Sequence, residues 1–219
     1  MSSRLERLHE ARLYFVTDIR PDLDELLEAA LGGGVDMLQL RDKHASDDEL
    51  VRASGVFREA CDRHGALFWL NDRPDLAGAC RADGVHVGQD DLALTEAALV
   101  LRPDVLLGLS THSPAQLEEA LADGRADQLS VGPVWETPTK EGRPAAGLSY
   151  VSHAARRAGS RPWFAIGGID LGNVREVVEA GASRIVVVRA IRDAADPRDA
   201  AAALRAALED AARGAEDQP

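Results

Sequence analysis

The feature that most constrains this chain is an alternation. Eight short apolar or β-branched runs, at residues 13–17, 36–40, 67–70, 84–87, 105–109, 128–131, 163–166 and 185–188, are each followed by a helix-like stretch. The clearest amphipathic stretches, rich in Ala, Leu and Glu, are 23–31, 47–64, 114–122, 173–180 and 197–212. Strands separated by helices need crossover connections and therefore run parallel. Runs that are apolar throughout, rather than alternating, are those of strands covered on both faces. Eight such units in 219 residues predict a closed (β/α)8 TIM barrel of the α/β class. An open nucleotide-binding sheet would leave strands over, and no G-x-G-x-x-G follows the first run. The predicted layout is an N-terminal arm at 1–12, a single barrel domain at 13–213 and a flexible tail at 214–219.

Charge limits what such a barrel can bind. With 25 Lys and Arg against 37 Asp and Glu, the net charge is −12, which disfavours non-specific contact with nucleic acid or an anionic membrane. An anionic ligand must then meet a focused patch of positive charge or a metal ion. Only two of the basic residues are Lys, Lys43 and Lys140; the rest are Arg. No apolar run approaches the roughly 20 residues of a membrane span. Residues 1–12 are polar and charged and lack the apolar stretch of a signal peptide. Cys61 and Cys80 show no ligand-like spacing, so reduced thiols in a cytoplasmic protein are expected. The Gly32–Gly34 triplet follows a helix and precedes a strand, which suits a helix C-terminus at the bottom of the barrel rather than a phosphate loop.

In barrels of this kind the chemistry sits in the loops after the strands. Those positions read Thr17-Asp18, Gln39-Leu40-Arg41-Asp42-Lys43, Asn71-Asp72-Arg73, Gly88-Gln89-Asp90-Asp91, Ser110-Thr111-His112, Gly132-Pro133 with Thr137-Pro138-Thr139-Lys140, Gly167-Gly168 and Arg189. Every strand delivers polar or Gly-rich groups to one rim, and the opposite connections are plainer. No Cys–His pair, H-E-x-x-H or G-x-S-x-G is present, and Ser110 with His112 lacks an evident third group for a nucleophile–base pair. What is present is carboxylate (Asp72, Asp91), cation (Arg41, Lys43, Lys140), hydroxyl (Ser110, Thr137, Thr139) and bare backbone (Gly167, Gly168). Two carboxylates beside phosphates are the usual protein share of a Mg2+ site. Glycines after the seventh strand offer backbone N–H groups to a second phosphate.

Plainer uses exist for several of these residues. Asp72 and Asp91 each stand where they could cap a following helix. His86, within the fourth strand, reads as a packed, hydrogen-bonded residue. Arg73 and Arg143 read as surface ion-pair partners, Thr17-Asp18 as shaping the first loop, and Trp135 as either a loop hydrophobe or a cavity wall.

Taken in order, the segments Gln39-Leu40-Arg41-Asp42-Lys43, Asn71-Asp72-Arg73, Asp83 through Asp91, Ser110-Thr111-His112, Gly132-Pro133 through Lys140, and Ile166-Gly167-Gly168-Ile169 resemble the thiamine-phosphate synthase (thiamine-phosphate pyrophosphorylase) family, with similarity from about Leu13 to Ile191. The resemblance implies a transferase that joins 4-amino-2-methyl-5-hydroxymethylpyrimidine diphosphate to a thiazole phosphate and releases pyrophosphate. It implies that Gln39, Leu40, Arg41, Asp42, Lys43, Asn71, Ser110 and Lys140 form the pyrimidine diphosphate site. Asp72 and Asp91 would ligate Mg2+, and Thr137, Pro138, Thr139, Gly168, Val188 and Arg189 would form the thiazole phosphate pocket. Lys140, Arg41, Lys43 and Ser110 would act on the reacting groups. Many family members carry Val-Ser where this chain has Val188-Arg189; Arg keeps the backbone N–H and adds a guanidinium that either grips phosphate in a fork or turns away into an ion pair.

The nearest rival is the related thiazole tautomerase, which carries His where this chain has Pro133 and lacks the full metal and diphosphate set. A phosphate-binding isomerase barrel, or a barrel kept as a ligand sensor, would leave most of the rim charge unused. No dimerisation patch is legible, although a homodimer is a common state for such barrels. Lys is a compact charge with rotatable donors and Arg a broad planar fork. Lys140→Ala is therefore expected to lower kcat rather than only raise KM in a steady-state assay, and Lys43→Arg and Lys140→Arg are expected to restore little of the lost turnover.

Overall fold

The computed structural model describes residues 2–137 and 144–216, with the side chains of 211–216 left aside. The strands are β1 (Leu13–Thr17), β2 (Met37–Leu40), β3 (Leu67–Asn71), β4 (Gly84–Val87), β5 (Leu106–Thr111), β6 (Gln128–Val131), β7 (Trp163–Ile166) and β8 (Ile185–Val187). The helices are α1 (Arg4–Glu10), α2 (Leu23–Gly32), α3 (Asp47–His64), α4 (Leu94–Val100), α5 (Pro114–Asp123), α6 (Gly147–Arg157), α7 (Val174–Glu179), α8 (Arg189–Arg192) and α9 (Pro197–Glu216). The strands close into a barrel in chain order, and the parallel pairing of Leu13 with Ile185 joins β1 to β8.

The predicted rhythm departs from the structure at one place. Between β3 and β4 stands only the 3-10 turn Pro74–Leu76, not an α-helix. Residues 72–83 must make the whole crossover and contain Pro74 and Gly78, which leaves too short a span for a full helix. Two strands run further than their apolar runs. β3 continues through Asn71, which pairs with His86, and β5 through Ser110 and Thr111, which pair with Ser130 and Val131. Ladder hydrogen bonds carry the strand past the point where hydrophobicity stops marking it.

Strand parity sorts the side chains. Phe15, Leu38, Leu40, Phe68, Leu70, Val85, Leu107, Leu129 and Val131 pack outward into a layer shared with the helices. Tyr14, Met37, Leu67, Trp69, Leu106, Phe164 and Val186 point inward and fill the barrel. The Tyr14 ring lies 5.7 Å from Phe164 edge-on and 6.1 Å from Trp69. Above this aromatic layer the inward positions turn polar.

The arm closes the lower end. Its helix α1 starts with a capping box between Ser3 and Glu6. Leu8, wholly buried, joins the inward cluster together with Ala11. Charges clip it in place: Arg4 Nε lies 2.7 Å from Asp83 and Arg58 Nη1 lies 2.8 Å from the other Asp83 oxygen, which also accepts the Phe68 N–H at 2.9 Å. Burial alone would raise the Asp83 carboxyl, but Arg58, the Phe68 N–H and Arg4 together hold it below the usual range. Asp83→Asn takes the buried carboxylate away from Arg58, only 6% exposed, and from Arg4, leaving Arg58 the more exposed Asp62 at 2.9 Å. The expected loss is about 3 kcal/mol in urea unfolding at pH 7. Because the native carboxyl is depressed, this contribution stands above about pH 4 and is lost as the pH falls toward its native value.

Candidate active site

The two acidic residues of the rim converge. Asp72 follows β3 in the left-handed region (φ 60°), its N–H donating to the His86 carbonyl at 2.8 Å, and its carboxylate accepts from the Asn71 amide. Lys43 Nζ, from the loop after β2, lies 3.4 Å away. Asp91, in the loop after β4, accepts the Gly88 N–H on Oδ2 at 2.9 Å. Neither caps a helix: Arg73 precedes the 3-10 turn and Ala93 precedes α4, with no side-chain cap at either. Burial, and then a hydrogen bond and repulsion from Asp91, push the Asp72 carboxyl up, against the pull of Lys43. A pair of like charges held together in this way is what a dication relieves. Among the described residues no group of three or more His, Cys, Asp or Glu could hold a metal. The protein's share at this point is two carboxylates, which suits Mg2+ completed by water and phosphate oxygen.

The cavity floor is a buried polar layer on the aromatic one. Gln39 Nε2 donates to the Tyr14 hydroxyl at 2.5 Å. His86 Nε2 lies 2.9 Å from Ser110 Oγ, and His86 Nδ1 lies 3.1 Å from Gln128 Oε1. Gln89 Nε2 donates to the Ser110 carbonyl at 2.7 Å. The imidazole on Ser110 is thus His86 and not the sequence neighbour His112, whose Nδ1 lies 2.6 Å from the Gly132 carbonyl.

The opposite wall is made of backbone. Gly167 and Gly168 turn at φ 107° and 68°, which L side chains rarely adopt, and a Cβ on Gly167 would stand 2.5 Å from Pro133. Val134 donates to the Ile166 carbonyl at 2.8 Å and Trp135 to Gly167 at 3.1 Å, tying the loop after β6 to the loop after β7. Asn173 Nδ2 holds the Gly168 carbonyl at 2.8 Å. Arg189 opens α8, exposed at the mouth.

These groups surround one cavity of about 280 Å3. It brings together Gln39, Arg41, Lys43, Asn71, Asp72, Asp91 and Ser110 on one side with Thr137, Gly168, Val188 and Arg189 on the other. Two expected residues do not line it. Leu40 has the parity of its neighbour Leu38 and is buried outward against the helices. Asp42 accepts the N–H groups of Ile19 and His44 and shapes a neighbouring groove that also includes Lys43 and Arg192. Pro138, Thr139, Lys140 and Arg143 lie outside the described residues. Arg73 pairs with Asp47 and Asp75, as a surface residue would. Trp135 packs against the core, and it is not among the residues lining the cavity. Tyr14 and Ser130, which the sequence did not single out, also line the cavity, as do the rim residues Pro133 and His112 and the strand residue His86, expected only to pack. Strand parity was the available signal: Tyr14 and His86 stand on the inward positions of their strands.

The family model for thiamine monophosphate synthase matches residues 13–191. The chain belongs to the thiamine monophosphate synthase family. It is 55% identical over 208 residues to thiamine-phosphate synthase of Acidothermus cellulolyticus, covering 94% of this chain and 98% of the relative. It is 52% identical over 199 residues to that of Streptomyces avermitilis, covering 90% and 93%. Among solved structures, thiamine phosphate pyrophosphorylase from Pyrococcus furiosus superposes with a TM-score of 0.85 at 32% identity, covering 93% of this chain and 98% of that one. Family membership makes the protein an enzyme of the transferase class, acting in thiamine biosynthesis on a TIM barrel. Among the described residues no helix is long and apolar enough to cross a membrane.

The strain between Asp72 and Asp91 is measurable without ligand. At pH 7, Asp72→Asn removes one of two like charges and is expected to raise Tm by about 2–4 °C in calorimetry. Because the native Asp72 carboxyl is raised, the gain should shrink as the pH falls and protonates the wild-type residue. A lower Tm for the variant at pH 7 would mean that the pair is not strained.

Proposed function

We propose that this enzyme joins 4-amino-2-methyl-5-hydroxymethylpyrimidine diphosphate to a thiazole phosphate by a dissociative substitution, releasing pyrophosphate. The observation that carries this reading is a cavity with two unlike ends. One end has Arg41, Lys43 and the Asp72–Asp91 pair, suited to a diphosphate; the other has the Gly167-Gly168 turn and Arg189, suited to a monophosphate. Pro133, in the wall between them, stands where the tautomerase has His.

In the reaction the bond between the pyrimidine methylene carbon and the diphosphate oxygen breaks, and both electrons leave on the diphosphate. The methylene cation is delocalised into the aminopyrimidine ring. The thiazole nitrogen then gives its lone pair to that carbon, so no strong base is needed. Bound between Asp72 and Asp91, Mg2+ would supply charge neutralisation for the diphosphate. Lys43 and Arg41 oppose the charge that grows on the leaving group, in a site where partial burial strengthens the attraction. The family motif extends this role to Lys140. Asn71 holds Asp72 by its side-chain amide and keeps the carboxylate turned toward the rim. Gly167 and Gly168 bring bare backbone to the second phosphate, and Thr137 and Val188 bound the space in which the thiazole sits. Holding both substrates in line contributes up to about 7–11 kcal/mol.

The test is direct. The pure protein with pyrimidine diphosphate, thiazole phosphate and Mg2+ should produce thiamine phosphate and pyrophosphate in equal amounts. Thiazole isomerisation without coupling would replace this reading with the tautomerase. Chelation should abolish turnover. Mg2+ alone should raise Tm of the wild-type protein by a few degrees and leave Asp72→Asn unmoved, since the ion relieves the charge pair that the variant lacks.

A further inference from the structure

His86, Gly108 and Gln128 stand level on three adjacent strands: His86 of β4 pairs with Gly108 of β5, which pairs with Gln128 of β6. Gly108 is the reason the outer two can meet. A Cβ there would lie 2.5 Å from both Gln128 Oε1 and His86 Nδ1. The missing side chain leaves a gap that the imidazole and the amide bridge. Two residue pairs higher, at the next position of the same parity, Ser110 and Ser130 pair on β5 and β6.

The hydrogen bonds through this cluster have one direction. Gln128, fully buried, donates from Nε2 to Ser130 Oγ at 3.0 Å, so its Oε1 is turned to His86. An amide oxygen only accepts, so His86 Nδ1 carries the proton of that 3.1 Å bond. In the uncharged ring Nε2 is then bare, and Ser110 donates its hydroxyl proton to it across 2.9 Å. Ser110 Oγ, which lines the cavity, therefore shows lone pairs to a ligand and no proton. An unprotonated phosphate oxygen also offers only lone pairs. The ligand group that suits Ser110 is an N–H donor.

We infer that Gln128 and His86 are positioning residues that hold Ser110 as a hydrogen-bond acceptor for the exocyclic amine of the pyrimidine substrate. The inference rests on the proposed pyrimidine diphosphate reading and deepens it. The amine nitrogen feeds electrons toward the methylene cation, so its N–H becomes more acidic as the C–O bond breaks. An acceptor already fixed beside it then binds the transition state more tightly than the ground state. Ser110 belongs on this account with the pyrimidine ring and not with the diphosphate.

Three measurements test it. The first needs no substrate: nitrogen NMR of the whole protein, with the His86 signals among the six histidines identified by their loss in His86→Gln. The expected result is a protonated Nδ1 and a bare Nε2; the opposite tautomer, or a ring protonated on both nitrogens at the assay pH, overturns the inference. The second is calorimetric. Ser110→Ala should weaken binding of the diphosphate-free pyrimidine alcohol about tenfold and leave binding of inorganic pyrophosphate unchanged. Weakened pyrophosphate binding with unchanged alcohol binding overturns it. The third is kinetic. Gln128→Met should lower kcat about tenfold with KM little changed, and should cost nothing further in a Ser110→Ala background. Equal losses in both backgrounds show a merely structural role and overturn it. If the wild-type protein makes no thiamine phosphate, the proposed function falls; if it does and these three results fail, only the inference falls.

Discussion

The structure depends on closure. Eight parallel strands that pair in a ring have no free edge, and each strand has only an inside and an outside. The outside of every strand is committed to the helices. The inside has one axis and a small cross-section, so depth along that axis sets the job of each inward residue. At the bottom Leu8 of the arm enters the barrel; next come Tyr14, Trp69 and Phe164; above them lie Gln39, His86 and Ser110. The aromatic layer is a rigid apolar support for a polar floor. Polar groups at that depth are nearly dry, so they must satisfy one another, and they do so through the Tyr14–Gln39 and Ser110–His86–Gln128–Ser130 bonds.

A second constraint is charge. An acidic protein that is to hold an anionic ligand must concentrate its positive potential, and Arg41 and Lys43 stand together at the strand ends. Among the described residues many Arg side chains pair with carboxylates away from the cavity, such as Arg63 with Glu28 and Arg157 with Glu118. Lys43 is different: it stands over the Asp72–Asp91 pair. On the proposed function, the same carboxylates that would repel a diphosphate would hold the dication that lets it bind.

Much of the fold was legible in the residues, and the reasons are particular. β1, β4, β6 and β7 coincide with their apolar runs because burial on both faces demands such runs. The 3-10 turn at Pro74–Leu76 was not legible, since the Ala and Leu around it read as helical and only the length of the crossover rules a helix out. The extensions of β3 and β5 were hidden because Asn71 and Ser110 are polar where they line the cavity, and Thr111 is polar where it bonds the Ser130 carbonyl and the Tyr150 hydroxyl. At the site, motif order pointed to the acidic pair, to Arg41 and Lys43 and to the glycine turn, all of which line the cavity. It also included Leu40 and Asp42, which sit inside a contiguous motif but turn away from the cavity. A motif is a run along the chain, whereas lining a cavity depends on strand parity and on which loops lean inward.

By itself the sequence determined the closed barrel, the rim at which its polar groups gather and the family. Those follow from the spacing of hydrophobic runs and from residue types at strand ends, which are local properties of the chain. Only the tertiary structure decided that Asp72 and Asp91 strain against each other, that Ser110 answers to His86 and not to its neighbour His112, and that Gly108 makes room for that bond. These depend on distances between residues nineteen or more positions apart, brought level by the barrel's register. No pattern along the chain states that register; it exists once the last strand pairs with the first.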